Sequence, residues 1–409
     1  LTTYAVAVII LHKQGYCLRR MKFFLIATYT GLVVCLLVIV QVFLEVYMQM
    51  NNKLIWNSRG LFGQRKQYYL LNKDIRHPII IWWTNFIDLT TTKVCDDVTC
   101  FFTNNRSLIQ HPLIEALIFY GSDINLTDMP LPRNENKLIW ALLHEESPRN
   151  IPALSNENIL VLFNYTATFS RHSDFPLTTQ YIKNLDMLVD RIDTFLSEEL
   201  LYFIARYKFV LAIENGECED YITEKLWRPL ISGSIPIYLG SPSIKDWLPN
   251  NNSAILIWDF PSPKHLAEYL IQLDNDEEKY NLYLEHKLEK KLEYKIKNKR
   301  LISTMANRTW KINDFGDDNY IEQFECFVCK KVHKHPDTYH FADIHHYNCP
   351  KPKSSLTKQQ NLSNVWLEEW RKGECEAKVF KNFVYLKGEN YSIQAFNNEV
   401  FKYYKMGLC

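Results

Sequence analysis

Glu214 and Asn215 close an apolar run, Phe209 to Ile213, and Glu224 and Lys225 follow after a short polar loop, in the stretch FVLAIENGECEDYITEKLWRPLISGSIPIYLG that runs from Phe209 to Gly240. Carboxylates at the carboxyl end of a strand can take ribose hydroxyls, and a lysine there can neutralise phosphate. In open α/β sheets ligands bind at those strand ends, so these residue types in this order point to a nucleoside-diphosphate site.

The elements that must hold them are legible in the same stretch. Phe209 to Ile213 reads as a strand, Asp220 as the start of a helix carrying Glu224, Lys225 and Trp227, and Ile235 to Leu239 as a second strand that stops at Gly240. That is one βαβ unit, about 30 residues long. Upstream, Pro78 to Trp83, Leu138 to Leu143 and Ile159 to Phe163 are compact apolar runs that read as buried strands. Cys95 to Phe102 and a helical stretch near Pro112 to Ile118 lie between them, and Leu185 to Tyr207 reads as a helix. Downstream come a strand at Ala254 to Trp258 and helices at His265 to Leu273 and Glu277 to Lys299; beyond Tyr320 the pattern loosens. Strands alternating with helices predict an α/β fold with parallel sheets.

The Phe209–Gly240 segment resembles the donor-binding signature of the α1,3-fucosyltransferases, glycosyltransferase family 10 (FxLxxEN…DYITEKxW…GxxPxxxG). The continuation SPSIKDWLPNNNSAILI, HEESP at His144 to Pro148, and FNYTATFSRHSDFPLTTQY at Phe163 to Tyr181 resemble the animal branch related to fucosyltransferases 10 and 11, regarded as protein O-fucosyltransferases. The resemblance covers roughly Ile79 to Cys349. It implies a GT-B-like fold of two Rossmann-like domains facing a cleft, GDP-fucose as donor, no metal or other cofactor, inversion at the sugar, and a protein serine or threonine or a glycan GlcNAc as acceptor.

Inverting transfer needs a carboxylate to deprotonate the acceptor hydroxyl, and the resemblance places that base on Glu146, with Glu145 as the neighbouring alternative. It places Lys225 and Glu224 on the GDP, and Asn215, Tyr221 and Glu214 around the donor. His144, Arg171 and His172 are candidates for the acceptor or the pyrophosphate. A solvated polar loop accounts equally for Arg171 and His172; at the helix start, capping by Asp220 and the preference of Glu224 for its positive end can hold together with donor binding.

Composition narrows the setting. The 409 residues carry a net charge of +1 and 47% hydrophobic residues, so no polyanion partner is implied and no nucleic-acid motif stands out. Phe23 to Leu44 is an uncharged apolar run behind Arg19, Arg20 and Lys22. A membrane-spanning helix needs about 20 residues, and the positive flank puts the N-terminus in the cytosol and the remainder in the lumen of the Golgi or endoplasmic reticulum, a single-pass type II arrangement. Met21 resembles a natural start, which would make residues 1–20 upstream sequence. The expected organisation is a tail at 1–22, an anchor at 23–44, a stem at 45–77, an acceptor-side domain at 78–184, a donor domain at 185–320 and a Cys/His-containing extension at 321–409. Seven N-x-S/T sequons, at Asn105, Asn125, Asn164, Asn251, Asn307, Asn361 and Asn390, suit a lumenal glycoprotein.

Two metal patterns occur. Asp274-Asn275-Asp276 matches the D-x-D of metal-dependent glycosyltransferases but sits in an acidic helix start. Cys326-x-x-Cys329 followed by His333, His335, His340, His345, His346 and Cys349 reads either as a zinc module or as disulfide partners. The resemblance favours bridges: it implies that Cys95 and Cys100 pair with Cys326 and Cys329, and it leaves Cys218 without a partner.

One departure stands out. The resembled family carries about two further βα units, roughly 60 residues, between the SRHSDFPLTTQY region and the donor signature, and its basic pyrophosphate ligand is expected there. Here one predicted helix separates Tyr181 from Phe209. The donor sheet should therefore be truncated with apolar strand surface exposed, and a catalytically inactive membrane glycoprotein is the alternative to an active transferase.

Overall fold

Six strands build the first sheet: β1 (Ile79–Trp82), β2 (Thr90–Cys95), β3 (Val98–Thr103), β4 (Ile114–Tyr120), β5 (Ile139–His144) and β6 (Tyr165–Thr168). They lie in the order β2-β3-β1-β4-β5-β6, and all neighbours are parallel except the β2–β3 hairpin. The computed structural model describes residues 75–133, 138–179, 198–288, 296–308, 319–334, 340–354, 359–360, 363–383 and 392–409. The Phe23–Leu44 run, the sequons at Asn361 and Asn390, and most of the Leu185–Tyr207 stretch lie outside these residues. No helix among the described residues is long and apolar enough to cross a membrane.

β1 and β5 are buried on both faces, which is why they read as unbroken apolar runs. Two expectations fail beside them. The stretch near Pro112 to Ile118 is not helical but becomes β4, because its branched and aromatic residues fill the slot between β1 and β5. Ile159 to Phe163 is not a strand: Asn156 caps a single helical turn, Glu157–Leu160, and the strand begins at Tyr165.

The second sheet has three parallel strands, β7 (Phe209–Ile213), β8 (Ile235–Leu239) and β9 (Ile255–Leu256), in that order. The helix Glu224–Ser232 crosses between β7 and β8. As the missing section predicts, β7 is an edge strand among the described residues, and its Leu211 and Ile213 side chains are 68% and 46% exposed.

The described residues beyond Tyr320 are not loose, as the sequence suggests, but largely helical, and they return to the first sheet. The helix Tyr320–Lys334 lays Tyr320, Phe324, Val328 and Val332 on Trp82, Phe102 and Ile118. Residues 320–334 therefore pack in the first domain's core and not in a separate extension. Disulfides Cys95–Cys326 and Cys100–Cys329 fasten this helix to the hairpin, as the resemblance implies. Beneath it Lys93 reaches the buried Glu325, which also accepts from Trp82 Nε1 at 2.7 Å. Two further helices, Val365–Lys381 and Ile393–Lys405, pack on each other and are closed by Cys375–Cys409.

Candidate active site

Glu214 continues the β7 ladder by donating its backbone N–H to Leu239 at 2.8 Å, and its side chain turns inward. Gly240 makes room for it: a Cβ there would lie 2.5 Å from Glu214 Cγ. The carboxylate accepts from both the backbone N–H (2.8 Å) and the hydroxyl (2.7 Å) of Thr223. Thr223, not Asp220, caps the helix Glu224–Ser232, its Oγ1 accepting from Lys225 N. Glu214 therefore fixes the start of that helix. Burial pushes its carboxyl up to about 7, against the opposing pull of Thr223 and Lys225.

Lys225 Nζ lies 3.6 Å from Glu214 Oε2 and 3.6 Å from Glu224 Oε1, and Arg228 closes on Glu224 at 3.7 Å. All four side chains gather at a helix N-terminus, where backbone N–H groups point outward and an anion is stabilised.

Asp220 has a different task. It sits in the left-handed region (φ 63°), is fully buried, and accepts from Ser243 Oγ, Trp247 Nε1 and Arg171. Burial alone would raise its pKa; the bonds from Arg171, Ser243 and Trp247 hold it below the ordinary carboxylate value. Arg171 also bonds Asp246 at 2.6 Å and lies over the Trp247 ring. Its guanidinium thus locks the loop after β6 to the second sheet. That differs from the expected role as acceptor or pyrophosphate ligand, since both carboxylates already occupy it. His172, beside it, is exposed and stands near His345.

Glu146 follows β5 by two residues. The Tyr347 hydroxyl donates to its backbone carbonyl at 2.8 Å and meets His144 Nε2 at 3.1 Å. With that hydroxyl donating to the carbonyl, His144 must donate from Nε2, which leaves Nδ1 bare; Nδ1 indeed has no hydrogen-bond partner. Complete burial takes the His144 pKa down to about 3, so the ring is neutral. Gly121 is its neighbour, where a Cβ would come within 2.3 Å of Nδ1. His144 thus reaches Glu146 through Tyr347 and does not face solvent. Glu145 takes a different direction, accepting from Tyr120 at 2.9 Å.

Tyr221 links the two halves of the site. Its ring is buried and packs edge-on to Phe169. Burial raises its pKa most, and the charges of Glu214, Glu146 and Glu224 all add to that shift. The expected base and the expected donor-binding carboxylates therefore all act electrostatically on one buried phenol.

The segment bearing Tyr347 is held from both sides. Glu219 N donates to Asn348 O at 3.0 Å, and Asn348 Nδ2 donates to Glu219 at 2.9 Å. Cys218, expected to lack a partner, is bridged to Cys349.

A cleft of about 210 Å³ opens at the ends of β7 and β8, lined by Asn215, Gly240, Arg149, Lys351, Lys353 and Trp366, among others. Lys351 is paired with Glu374, and Arg149 lies over Trp366. No described carboxylate pairs with Arg149 or Lys353. Sequence reasoning passed over both cations, as it did Tyr347. Arg149 stands directly after the E-S-P run and could have been flagged; nothing local marks Lys353 or Tyr347.

The D-x-D pattern lies elsewhere. Asp276 caps the helix Glu277–Tyr283 and Asp274 pairs with Lys208. Among the sequons, Asn125, Asn251 and Asn307 are exposed and Asn105 is half-buried and caps a turn. Asn164 is buried, contrary to a glycan acceptor: its Oδ1 accepts from Trp140 N and Arg133, and its Nδ2 donates to His340 O.

Comparisons with known proteins agree in kind. The family description "Fucosyltransferase, N-terminal" matches residues 75–181, and "Glycosyltransferase family 10 (fucosyltransferase) C-term" matches residues 179–347. The chain is 36% identical to GDP-fucose protein O-fucosyltransferase 3 of Canis lupus familiaris, over 80% of this chain and 83% of that protein. It is 35% identical to the protein of the same name from Mus musculus, over 80% and 83%. The alignment with the Canis protein runs over 404 residues yet takes up 80% of this chain, so that relative carries sequence with no counterpart here. Among solved structures, an α1,3-fucosyltransferase with GDP-fucose aligns at 16% identity and a TM-score of 0.32, covering 59% of this chain and 83% of that one.

Proposed function

We infer the activity from one premise: the chain belongs to glycosyltransferase family 10, the fucosyltransferases. It transfers L-fucose from GDP-fucose to a hydroxyl acceptor. The relatives' names favour a protein serine or threonine over a glycan GlcNAc.

The Glu146 carboxylate takes the proton of the acceptor hydroxyl. The acceptor oxygen bonds to the anomeric carbon as the bond from that carbon to the GDP oxygen breaks. GDP leaves with the electron pair, and a single displacement inverts the sugar. Lys225 and the N-terminus of its helix stabilise the charge that grows on GDP. Glu224 takes the ribose, Asn215 and Tyr221 shape the pocket, and Glu214 acts by holding Thr223. Arg149 and Lys353 serve the pyrophosphate in place of the basic residue expected from the missing section. No metal enters this scheme, and Asp274 and Asp276 are already engaged.

Phe23 to Leu44 anchors the chain, and residues beyond it lie in the lumen of the Golgi or endoplasmic reticulum. The four disulfides among the described residues support an oxidising compartment.

The observation that carries the reading is the helix start at the carboxyl end of β7, where Lys225 Nζ lies 3.6 Å from both Glu214 and Glu224, with Glu214 and Asn215 lining the cleft beside it. The test uses the full chain in detergent micelles. GDP binds with a dissociation constant tighter than millimolar, and Glu146→Gln keeps that affinity while lowering kcat by about 10²–10⁴-fold, the usual worth of a general base. GDP affinity weaker than millimolar would instead support the inactive glycoprotein.

A further inference from the structure

The Cys/His-rich C-terminal stretch divides into two chemically different parts. Cys326, Cys329 and Cys349 are oxidised into disulfides and cannot act as thiolate ligands. The histidines take no part in those bridges, and two of them, His340 and His346, turn towards the loop after β6 and meet Asp174. From this arrangement we propose that Asp174, His340 and His346 form a binding site for one zinc-class divalent cation, outside the transfer site.

The spacing fits such an ion. His340 Nε2 lies 3.5 Å from Asp174 Oδ1, and His346 Nδ1 lies 3.7 Å from Asp174 Oδ2. One ligand atom from each residue falls within 4.8 Å of the others, and the two imidazole rings are 5.6 Å apart. Zinc bonds nitrogen and oxygen at about 2.0–2.2 Å in a tetrahedron, so neighbouring ligand atoms sit about 3.3–3.6 Å apart. The two contacts run to different oxygens of the carboxylate, so with one oxygen bound one of them already has this spacing, and the other imidazole must draw in by rotation from within 4.8 Å.

The carboxylate is already oriented. Asp174 Oδ2 accepts the backbone N–H of Thr166 at 2.9 Å, the kind of support that fixes a metal-bound carboxylate. The histidine segment is placed by backbone bonds of its own: Ala342 N donates to Phe163 O at 2.8 Å, and His340 O accepts from Asn164 at 2.9 Å. The Thr166 hydroxyl lies 2.8 Å from His346 Nδ1 and must rotate away when that nitrogen binds the ion. His346 is buried while the His340 side chain is 49% exposed, so the ion has a path in and a face for a fourth ligand, water.

The ion would tie the segment from His340 to Cys349 onto the first sheet, beside the residue that holds Glu146. Its role is therefore positional. Without it, the trio is a carboxylate shared by two imidazoles.

The full chain, made without a histidine tag, stripped with EDTA and kept non-reduced, is titrated with zinc chloride by calorimetry and with cobalt chloride by visible absorption. One equivalent of zinc binds with a micromolar or tighter dissociation constant, and cobalt gives the absorption of a four-coordinate site. His340→Ala, half-exposed and tolerable to the fold, weakens zinc binding by at least 10-fold, as does Asp174→Asn. His333→Ala, which removes an imidazole outside the trio, leaves binding unchanged. An absence of binding at 100-fold above micromolar zinc, or an unaltered isotherm in His340→Ala, would overturn the site.

Discussion

The Tyr347 hydroxyl donates to the backbone carbonyl of Glu146 at 2.8 Å across 201 residues of chain. The expected base is thus held by a residue from the far end of the fold, which in turn rests on the neutral ring of His144. Tyr347→Phe removes one hydroxyl and leaves two buried partners unsatisfied. The expected cost is about 1–3 kcal/mol of stability. Because the loop bearing Glu146 loosens while the nucleotide helix does not, kcat should fall by about 10-fold, roughly 1.4 kcal/mol, and KM for GDP-fucose should hold. Steady-state kinetics that show KM rising with kcat unchanged would refute this division of labour.

Lys225 is the cation nearest the helix start, within 3.6 Å of two carboxylates. A charge-assisted contact to phosphate contributes about 1.5–3 kcal/mol, so Lys225→Ala should weaken GDP binding by about 10- to 100-fold. Arg149→Ala and Lys353→Ala should each weaken it less, and these two effects should shrink in high salt because both side chains are exposed. Calorimetry at two ionic strengths decides it.

Glu214 gives the protein a pH dependence of definite sign. Burial raises its folded-state pKa from 4.5 to about 7. The folded form then holds a proton that the unfolded form releases between those values. Stability from this group is full below pH 4.5 and is lost as pH rises through about 7. His144 works in the opposite direction, since its pKa is lowered from 6.5 to about 3 and the folded state resists its protonation. Comparing thermal midpoints of wild type and Glu214→Gln from pH 4.5 to 7 isolates the first effect, because His144 is common to both. The variant should lose the decline towards pH 7; an identical pH profile would contradict the assignment.

Asn164 meets the sequence rule for glycosylation, yet its amide joins β5, Arg133 and His340. Site-resolved glycopeptide mass spectrometry should find glycan at Asn125 and Asn251 and none at Asn164. Asn164→Gln should lower the melting temperature without changing the glycan mass.

Strands of both sheets are legible as continuous apolar runs: β1 and β5 in the first, buried on both faces, and β7 and β8 in the second, although β7 lies at its edge. β4 was misread since Pro112 and Glu115 give its start the look of a helix, while the decisive fact is the neighbours on either side. The donor helix was placed too early because Asp220 and Thr223 are both good caps, and only the buried Arg171–Asp220 contact separates them. Cys218–Cys349, Tyr347 and the Asp174 cluster depend on chain segments that meet from more than a hundred positions apart, a distance local patterning does not encode.

Among the described residues the second sheet ends at β7, with Leu211 and Ile213 outward. A row of unpaired backbone groups beside apolar side chains is a ready template for another extended chain. Two copies meeting through these borders would pair as a continuous sheet, so the same truncation that shortens the donor layer makes self-recognition its most accessible misadventure.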